Sequence, residues 1–283
     1  MKPYLCIYHG NCADGFTSAW VVRRALGEDK VDFYPGVYND EPPWELIKDR
    51  NVIFVDFTYK LAKMEKVLAN AENILVLDHH KSAEQDLLAL APRHTLGMYF
   101  DMKRSGARMA WDYFFPDVTV PNLIRFVEDR DLWIFQYPET RAFNTYLFSK
   151  TYTFENWDEL YRLAEDEKGL TAAVKAGEAI DEKHFKDIME LLAVCKYEMI
   201  IGGIKVPVAN LPYTMSSDAA NILAKSHESK MGACYYETGA HRVFSLRSLK
   251  DGPDVSKIAS GYGGGGHAQA SGFRVAKGWE GDV

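Results

Sequence analysis

Short apolar runs separated by helical patterns recur along the first third of the chain, and that rhythm admits few architectures. Tyr4-Leu5-Cys6-Ile7-Tyr8, Asn51-Val52-Ile53-Phe54-Val55 and Ile74-Leu75-Val76-Leu77 each read as a buried strand. Phe16 to Leu26 and Tyr59 to Ala71 carry helical spacing between them. A βαβαβ order implies a parallel sheet, because parallel neighbours need a long crossover and a helix is the usual one. Ligands of such sheets collect beyond the carboxyl ends of the strands, so the residues that follow each strand matter most.

Further along, Ser105 to Phe115 and Asn122 to Asp129 read as helices, and residues 155–200 as a charged, largely helical segment ending before Gly202-Gly203. Beyond that pair, Ile204 to Ala209, Ala233 to Tyr236 and Val243 to Leu246 read as strands, and Ser217 to Ser226 as a helix. Gly261 to Gly266 reads as a glycine-rich loop before a short helix. The expectation is an α/β protein: a parallel-sheet domain with helices on both faces over 1–153, a helical linker over 154–200 and a smaller α/β domain over 201–283. At 283 residues with 47% hydrophobic content, the chain can fill two cores.

Charge narrows the partners. Residues 1–200 carry 24 Lys and Arg against 33 Asp and Glu, whereas 201–283 carry 9 against 7. An acidic chain is a poor binder of long duplex DNA, while the mildly basic end would suit an anionic ligand. Cys6, Cys12, Cys195 and Cys234 form no C-x-x-C pair, which suggests neither a disulfide framework nor a structural zinc and fits a reducing compartment. With no signal-peptide pattern and no apolar stretch of membrane length, the protein is read as cytoplasmic and without a membrane partner.

Each of the three strands is followed by polar chemistry: His9 and Asp14 after the first, Asp56 after the second, Asp78-His79-His80 after the third. Any one of them alone is an ordinary helix cap or a hydrogen-bonded core histidine. Together, carboxylate oxygens mixed with imidazole nitrogens suit Mn²⁺, Mg²⁺, Fe²⁺ or Co²⁺ better than structural zinc. A carboxylate shared by two such ions holds them about 3.5–4 Å apart, the spacing that clamps a phosphoryl group.

These residues carry a family resemblance. "VLDHHKSA" (76–83) resembles the Asp-His-His signature of the DHH phosphoesterase superfamily, which includes RecJ-type exonucleases, oligoribonucleases, cyclic dinucleotide phosphodiesterases and family II pyrophosphatases. "HGNCADGFTSAW" (9–20), "FVDFTY" (54–59) and "FVEDRDLW" (126–133) resemble its first, second and fourth motifs. "FSLRS" (244–248) and "GYGGGGHAQASGF" (261–273) resemble the arginine strand and glycine-histidine loop of the associated DHHA1 domain.

The resemblance implies a DHH domain and a DHHA1 domain with the active site in the cleft between them, and two divalent ions, Mn²⁺ first and Mg²⁺ as the alternative. His9, Asp14, Asp56, His79 and Asp129 would be metal ligands, with Asp131 the other candidate in the fourth motif. His80 would face the attacking water or the phosphate, and Asp78 would orient an imidazole. Arg247, Ser248, Gly264, Gly265, Gly266 and His267 would hold the substrate phosphate. Cys12 stands where relatives carry an aspartate, which leaves a thiolate ligand, a weaker site, or compensation by His9 and water as alternatives.

The implied activity is metal-dependent hydrolysis of short oligonucleotides or nucleotide-like phosphodiesters. Tyr8, Phe57, Tyr59, Trp133, Phe135 and Tyr262 are candidates for stacking on a base. A pyrophosphatase, a cyclic dinucleotide phosphodiesterase and a non-catalytic nucleotide-binding module are the alternatives. A homodimer is compatible with the resemblance, though no residue pattern argues for one.

Overall fold

The computed structural model describes residues 2–38, 40–90 and 95–282. The chain divides into two compact units, 1–181 and 182–283.

The first unit opens β1 (Tyr4–His9), α1 (Ala13–Leu26), β2 (Val31–Gly36), α2 (Trp44–Ile47), β3 (Asn51–Val55), α3 (Leu61–Asn70), β4 (Asn73–Asp78), α4 (Lys81–Leu87) and β5 (Leu96–Phe100). α5 (Gly106–Phe114), α6 (Asn122–Asp131), α7 (Thr140–Phe148) and α8 (Phe154–Glu165) follow, and α9 (Glu167–Cys195) continues past residue 181. The five strands form one parallel sheet in the order β2-β1-β3-β4-β5.

The three strands expected from apolar runs are its centre. Its edges, β2 and β5, escape that pattern: β2 reads Val-Asp-Phe-Tyr-Pro-Gly, and a proline is tolerated where one side of the strand needs no ladder partner. Alternate residues serve opposite faces. Leu5 and Ile7 join Val52, Phe54, Ile74 and Val76 in a core shared with α2 and α3, while Cys6, Ile53, Val55 and Leu77 join the core under α1, α5, α6 and α7.

Residues 154–200 do not form a separate linker. Trp157 of α8 is wholly buried in the first unit's core and its indole N–H donates to Thr17 Oγ1 at 2.9 Å, while Asp158 accepts from Trp20 and Arg23. Truncating such a tryptophan costs about 3–5 kcal/mol, so α8 is an integral part of that unit. The end of α9 belongs instead with the second unit, where Ile188 and Leu192 pack on Ala219 and Leu223.

The second unit holds β6 (Lys196–Ile201), β7 (Ile204–Asn210), α10 (Ser216–Lys225), β8 (Met231–Glu237), β9 (His241–Ser248), α11 (Val255–Gly261), β10 (Gly265–Gly266) and β11 (Ala270–Ala276). These strands form a mixed sheet, β10-β11-β9-β8-β7-β6, antiparallel except between β7 and β8. The glycine-rich loop therefore follows a helix and leads into a strand, opposite to the expected loop before a helix. Among the described residues no helix is long and apolar enough to cross a membrane.

Candidate metal centre

In a parallel sheet of order 2-1-3-4-5 the crossovers change side between β1 and β3, which opens a crevice at their carboxyl ends. Tyr8 pairs with Val55, so His9 and Asp56 leave adjacent strands at the same level of that crevice. Asp56 turns there with φ 54°, a left-handed conformation uncommon for a residue with a side chain, while its N–H stays tied to Leu77 O at 2.9 Å.

Asp14 comes from the first turn of α1, and its carboxylate caps another helix. Gly106 N and Ala107 N at the start of α5 donate to it at 2.6 and 3.0 Å. Two glycines make this approach possible. A Cβ on Gly106 would lie 2.5 Å from Asp56 Cβ, and one on Gly15 would lie 2.4 Å from His9 O. The need for Gly15 is thus the packing of α1 against the strand end that carries His9.

Asp78 ends β4 and directs the residues that follow it. Its Oδ1 accepts from His79 N at 2.7 Å and His80 N at 3.2 Å, and lies 2.7 Å from His80 Nδ1. His79 turns inward, its Nε2 lying 3.1 Å from Asp56 Oδ1, 3.7 Å from Asp14 Oδ2 and 3.5 Å from Asp131 Oδ2.

Two groups of ligand atoms result within the first unit. His9, Asp56 and His80 bring one atom each within 4.8 Å of one another, as do Asp14, His79 and Asp131, and the Asp56–His79 contact joins the groups. Within the first group His9 Nδ1 and Asp56 Oδ2 lie 3.4 Å apart, and neither has a hydrogen-bond partner among the described residues; the same holds for Asp78 Oδ2. Buried polar atoms are almost always satisfied, so orphaned atoms converging on one place fit cations between them.

The fourth motif resolves differently from its alignment. Asp129 is buried, but its carboxylate accepts from Gln136 N, Tyr137 N and Thr140 Oγ1 at 3.0, 3.2 and 2.5 Å and so braces the loop after α6. It belongs to neither group of ligand atoms. Asp131 Oδ2 lies instead in the second group, 3.5 Å from His79 Nε2. Neighbouring helical positions two apart face away from each other, so one carboxylate can serve the loop and the other the crevice.

Charge is strongly coupled here. Burial raises the Asp14 pKa, and the Asp56 and Asp131 charges add to that, holding it well above the usual carboxylate range. Burial opposes ionisation of Asp56 as well, but His79, His9 and His80 outweigh it and hold its pKa well below normal. Burial works against protonated His79, yet the bond to Asp56 and the charges of Asp131, Asp56 and Asp14 push its pKa up to about 10. Cys12, in neither group, has its thiol pushed well up by burial and by Asp56, Asp131 and Asp14.

In the second unit, the Arg247 and Ser248 side chains have hydrogen-bond partners close by. Arg247 donates to Leu246 O at 2.8 Å and Ser217 Oγ at 2.6 Å, and the Ser248 hydroxyl donates to Lys230 O and Leu249 O. Gly265 and Gly266 form β10, and a Cβ on Gly264 would lie 2.1 Å from Gly272 O. His267 and Ala270 exchange backbone hydrogen bonds at the turn into β11. No helix begins at this loop, so no helix N-terminus adds to any anion affinity there.

Sequence reasoning singles out neither Gly106 nor the choice of Asp131. The Ser105-Gly106 pair at a helix start is the only signal available for the former; Ser105 caps α5 by accepting from Arg108 N.

No protein-family model matches the chain. An uncharacterized protein of Acanthamoeba polyphaga mimivirus is 29% identical over 94% of this chain, which spans 66% of that relative's length. Among solved structures, the DHH domain of a member of the s1p family of ribosomal proteins superposes with a TM-score of 0.62 at 12% identity, covering 97% of this chain and 83% of that one. An exopolyphosphatase-related protein from Bacteroides fragilis superposes with a TM-score of 0.57 at 16% identity, over 100% of this chain and 88% of that one. The chain has the fold of DHH-domain proteins.

Proposed function

We propose that the protein is a metal-dependent phosphoesterase that hydrolyses short oligonucleotides or nucleotide-like phosphodiesters. The observation that carries this reading is the pair of ligand groups, His9-Asp56-His80 and Asp14-His79-Asp131, joined through Asp56 and His79. Two Mn²⁺ ions, with Mg²⁺ as the alternative, would be held there, and when bound they supply an acidified water and a clamp for the phosphoryl oxygens.

The chain's own residues prepare that chemistry. Asp56 faces both groups and stays ionised, so it is the residue suited to bridging. Asp14 is fixed by two N–H groups of α5 and cannot swing away when the crevice fills. An Nδ1–H donated by His80 to Asp78 locks the ring plane. Asp131 completes the second group as a proposed ligand in place of Asp129, and Cys12 is a neighbour of the centre rather than a ligand.

Nucleotide substrates are favoured over pyrophosphate by the aromatic residues beside Asp131. Phe57 and Tyr59 are core residues, Tyr8 packs on Phe16 at 5.7 Å, and Tyr262 stacks on Phe273 at 4.4 Å. Trp133 and Phe135 instead follow Asp131 in a loop where both take left-handed backbone, φ 58° and 55°, with the Arg130 guanidinium 4.1 Å above the Trp133 ring. Rings two and four residues past a proposed ligand, beside the guanidinium of the residue before it, suit a stacked base and its phosphate. Arg247, Ser248 and the 264–267 loop keep their proposed phosphate role on the resemblance alone.

A product assay tests the reading. 5′-Labelled RNA of two, five and twenty-four nucleotides, a cyclic dinucleotide and pyrophosphate are incubated with the protein and Mn²⁺. Cleavage of the two short RNAs is expected; inertness toward every phosphodiester, or turnover of pyrophosphate alone, would overturn it.

A further inference from the structure

Tyr38 belongs to none of the sequence motifs, yet it reaches the metal centre. It lies two residues past β2, the strand beside β1, where Gly36 pairs with His9. Gly36 makes its position possible, since a Cβ there would meet the Phe57 ring at 2.5 Å. The Tyr38 ring packs at 5.0 Å from Phe57, edge-on at 5.2 Å from His9 and at 6.2 Å from His80. It thus touches both imidazoles of one ligand group while 37% of the residue stays open to solvent.

The carboxylates and imidazoles of the two ligand groups would turn their lone pairs to cations held there. A phosphoryl group approaching cations held there brings further acceptor oxygens. The Tyr38 phenol offers an O–H donor that need not serve a cation.

We propose that Tyr38 is a substrate-contacting residue, its Oη–H donating a hydrogen bond to a phosphoryl oxygen seated at the His9-Asp56-His80 group. This rests on the phosphoesterase reading and adds to it a hydrogen-bond donor from outside the two ligand groups. The alternative is that Tyr38 only packs, its ring holding His9 in place.

The two roles separate with Tyr38→Phe, which keeps the ring and removes the hydroxyl. Three quantities are measured on wild type, Tyr38→Phe and Tyr38→Ala: Mn²⁺ affinity by calorimetry, affinity for inorganic phosphate in saturating Mn²⁺, and kcat/KM for thymidine 5′-p-nitrophenyl phosphate. Tyr38→Phe should bind Mn²⁺ as wild type does, bind phosphate at least about tenfold more weakly, and lose kcat/KM by about 10- to 100-fold, as expected for a hydrogen bond to a charged oxygen. Equal phosphate affinity in wild type and Tyr38→Phe overturns the inference, as does a loss confined to Tyr38→Ala. So does a wild type that binds Mn²⁺ but no phosphate. Turnover is a separate readout: a wild type that binds phosphate through Tyr38 yet cleaves no phosphodiester sinks the phosphoesterase reading and leaves the contact standing.

Discussion

The carboxyl end of the first unit's sheet and the glycine-rich loop of the second are both dense in polar and special-conformation residues, but they are built on opposite terms. At the sheet end, His9 Nδ1, Asp56 Oδ2 and Asp78 Oδ2 are buried without hydrogen-bond partners among the described residues, and Asp56 holds a left-handed backbone. At the loop, Arg247 and Ser248 are hydrogen-bonded to nearby groups, and Gly264 and Gly266 are small because β11 passes within contact distance. The comparison teaches that residue type and motif do not by themselves mark a binding site. At the sheet end unsatisfied atoms and a strained backbone coincide on neighbouring ligand-type side chains, a combination a fold retains where something else compensates.

Four experiments break or sharpen that contrast. The largest effect belongs to Asp56→Ala, which removes the group facing both ligand sets; hydrolysis should fall by about 10²–10³-fold or more, the scale of losing one electrostatic partner of a transition state. Undiminished turnover would end the claim that the sheet end is the reactive one. Next, the two aspartates of α6 should separate. Asp131→Asn should weaken Mn²⁺ binding in calorimetry with little change in Tm, whereas Asp129→Asn, which loses acceptor strength at three hydrogen bonds, should lower stability by about 1–3 kcal/mol in urea. The reverse pattern would restore the aligned residue.

Gly264→Ala should act on stability alone, costing about 1–3 kcal/mol by overpacking against Gly272 O. A variant that keeps its Tm but loses substrate affinity would show that the loop binds directly.

The smallest effect concerns pH. His79 carries a folded-state pKa raised from 6.5 to about 10, so its proton contributes stability that is complete below 6.5 and lost as pH climbs through about 10. The chelated protein should therefore show a Tm that declines over that window, while apparent Mn²⁺ affinity rises over the same window as ligand and proton compete. A flat Tm between pH 7 and 10 would contradict the assigned environment of His79.

Much of this was legible in the chain. Central strands of a parallel sheet are continuous apolar runs, and their carboxyl ends gather whatever follows them, so His9, Asp14, Asp56 and Asp78-His79-His80 could be placed together from order alone. The edges were not legible, because β2 carries Asp32, Pro35 and Gly36 and shows no apolar run. Neither was the choice between Asp129 and Asp131, which turns on the hydrogen-bond needs of the 132–140 loop rather than on helical spacing. β11 contains Gly272 and follows four glycines, so its period was obscured and a helix was expected in its place. Tyr38 reaches the centre through a glycine-permitted contact with Phe57, a tertiary fact with no local signature.

The bond from Trp157 to Thr17, together with Asp158 holding Trp20 and Arg23, ties α8 to α1 across some 140 residues of chain. Since α1 begins at the turn that presents Asp14, the metal centre and α8 share one mechanical element. Loading the centre with Mn²⁺ should therefore slow amide exchange in α8, far from any ligand atom. A proteolytic nick near residues 149–153 should speed metal release without touching the centre.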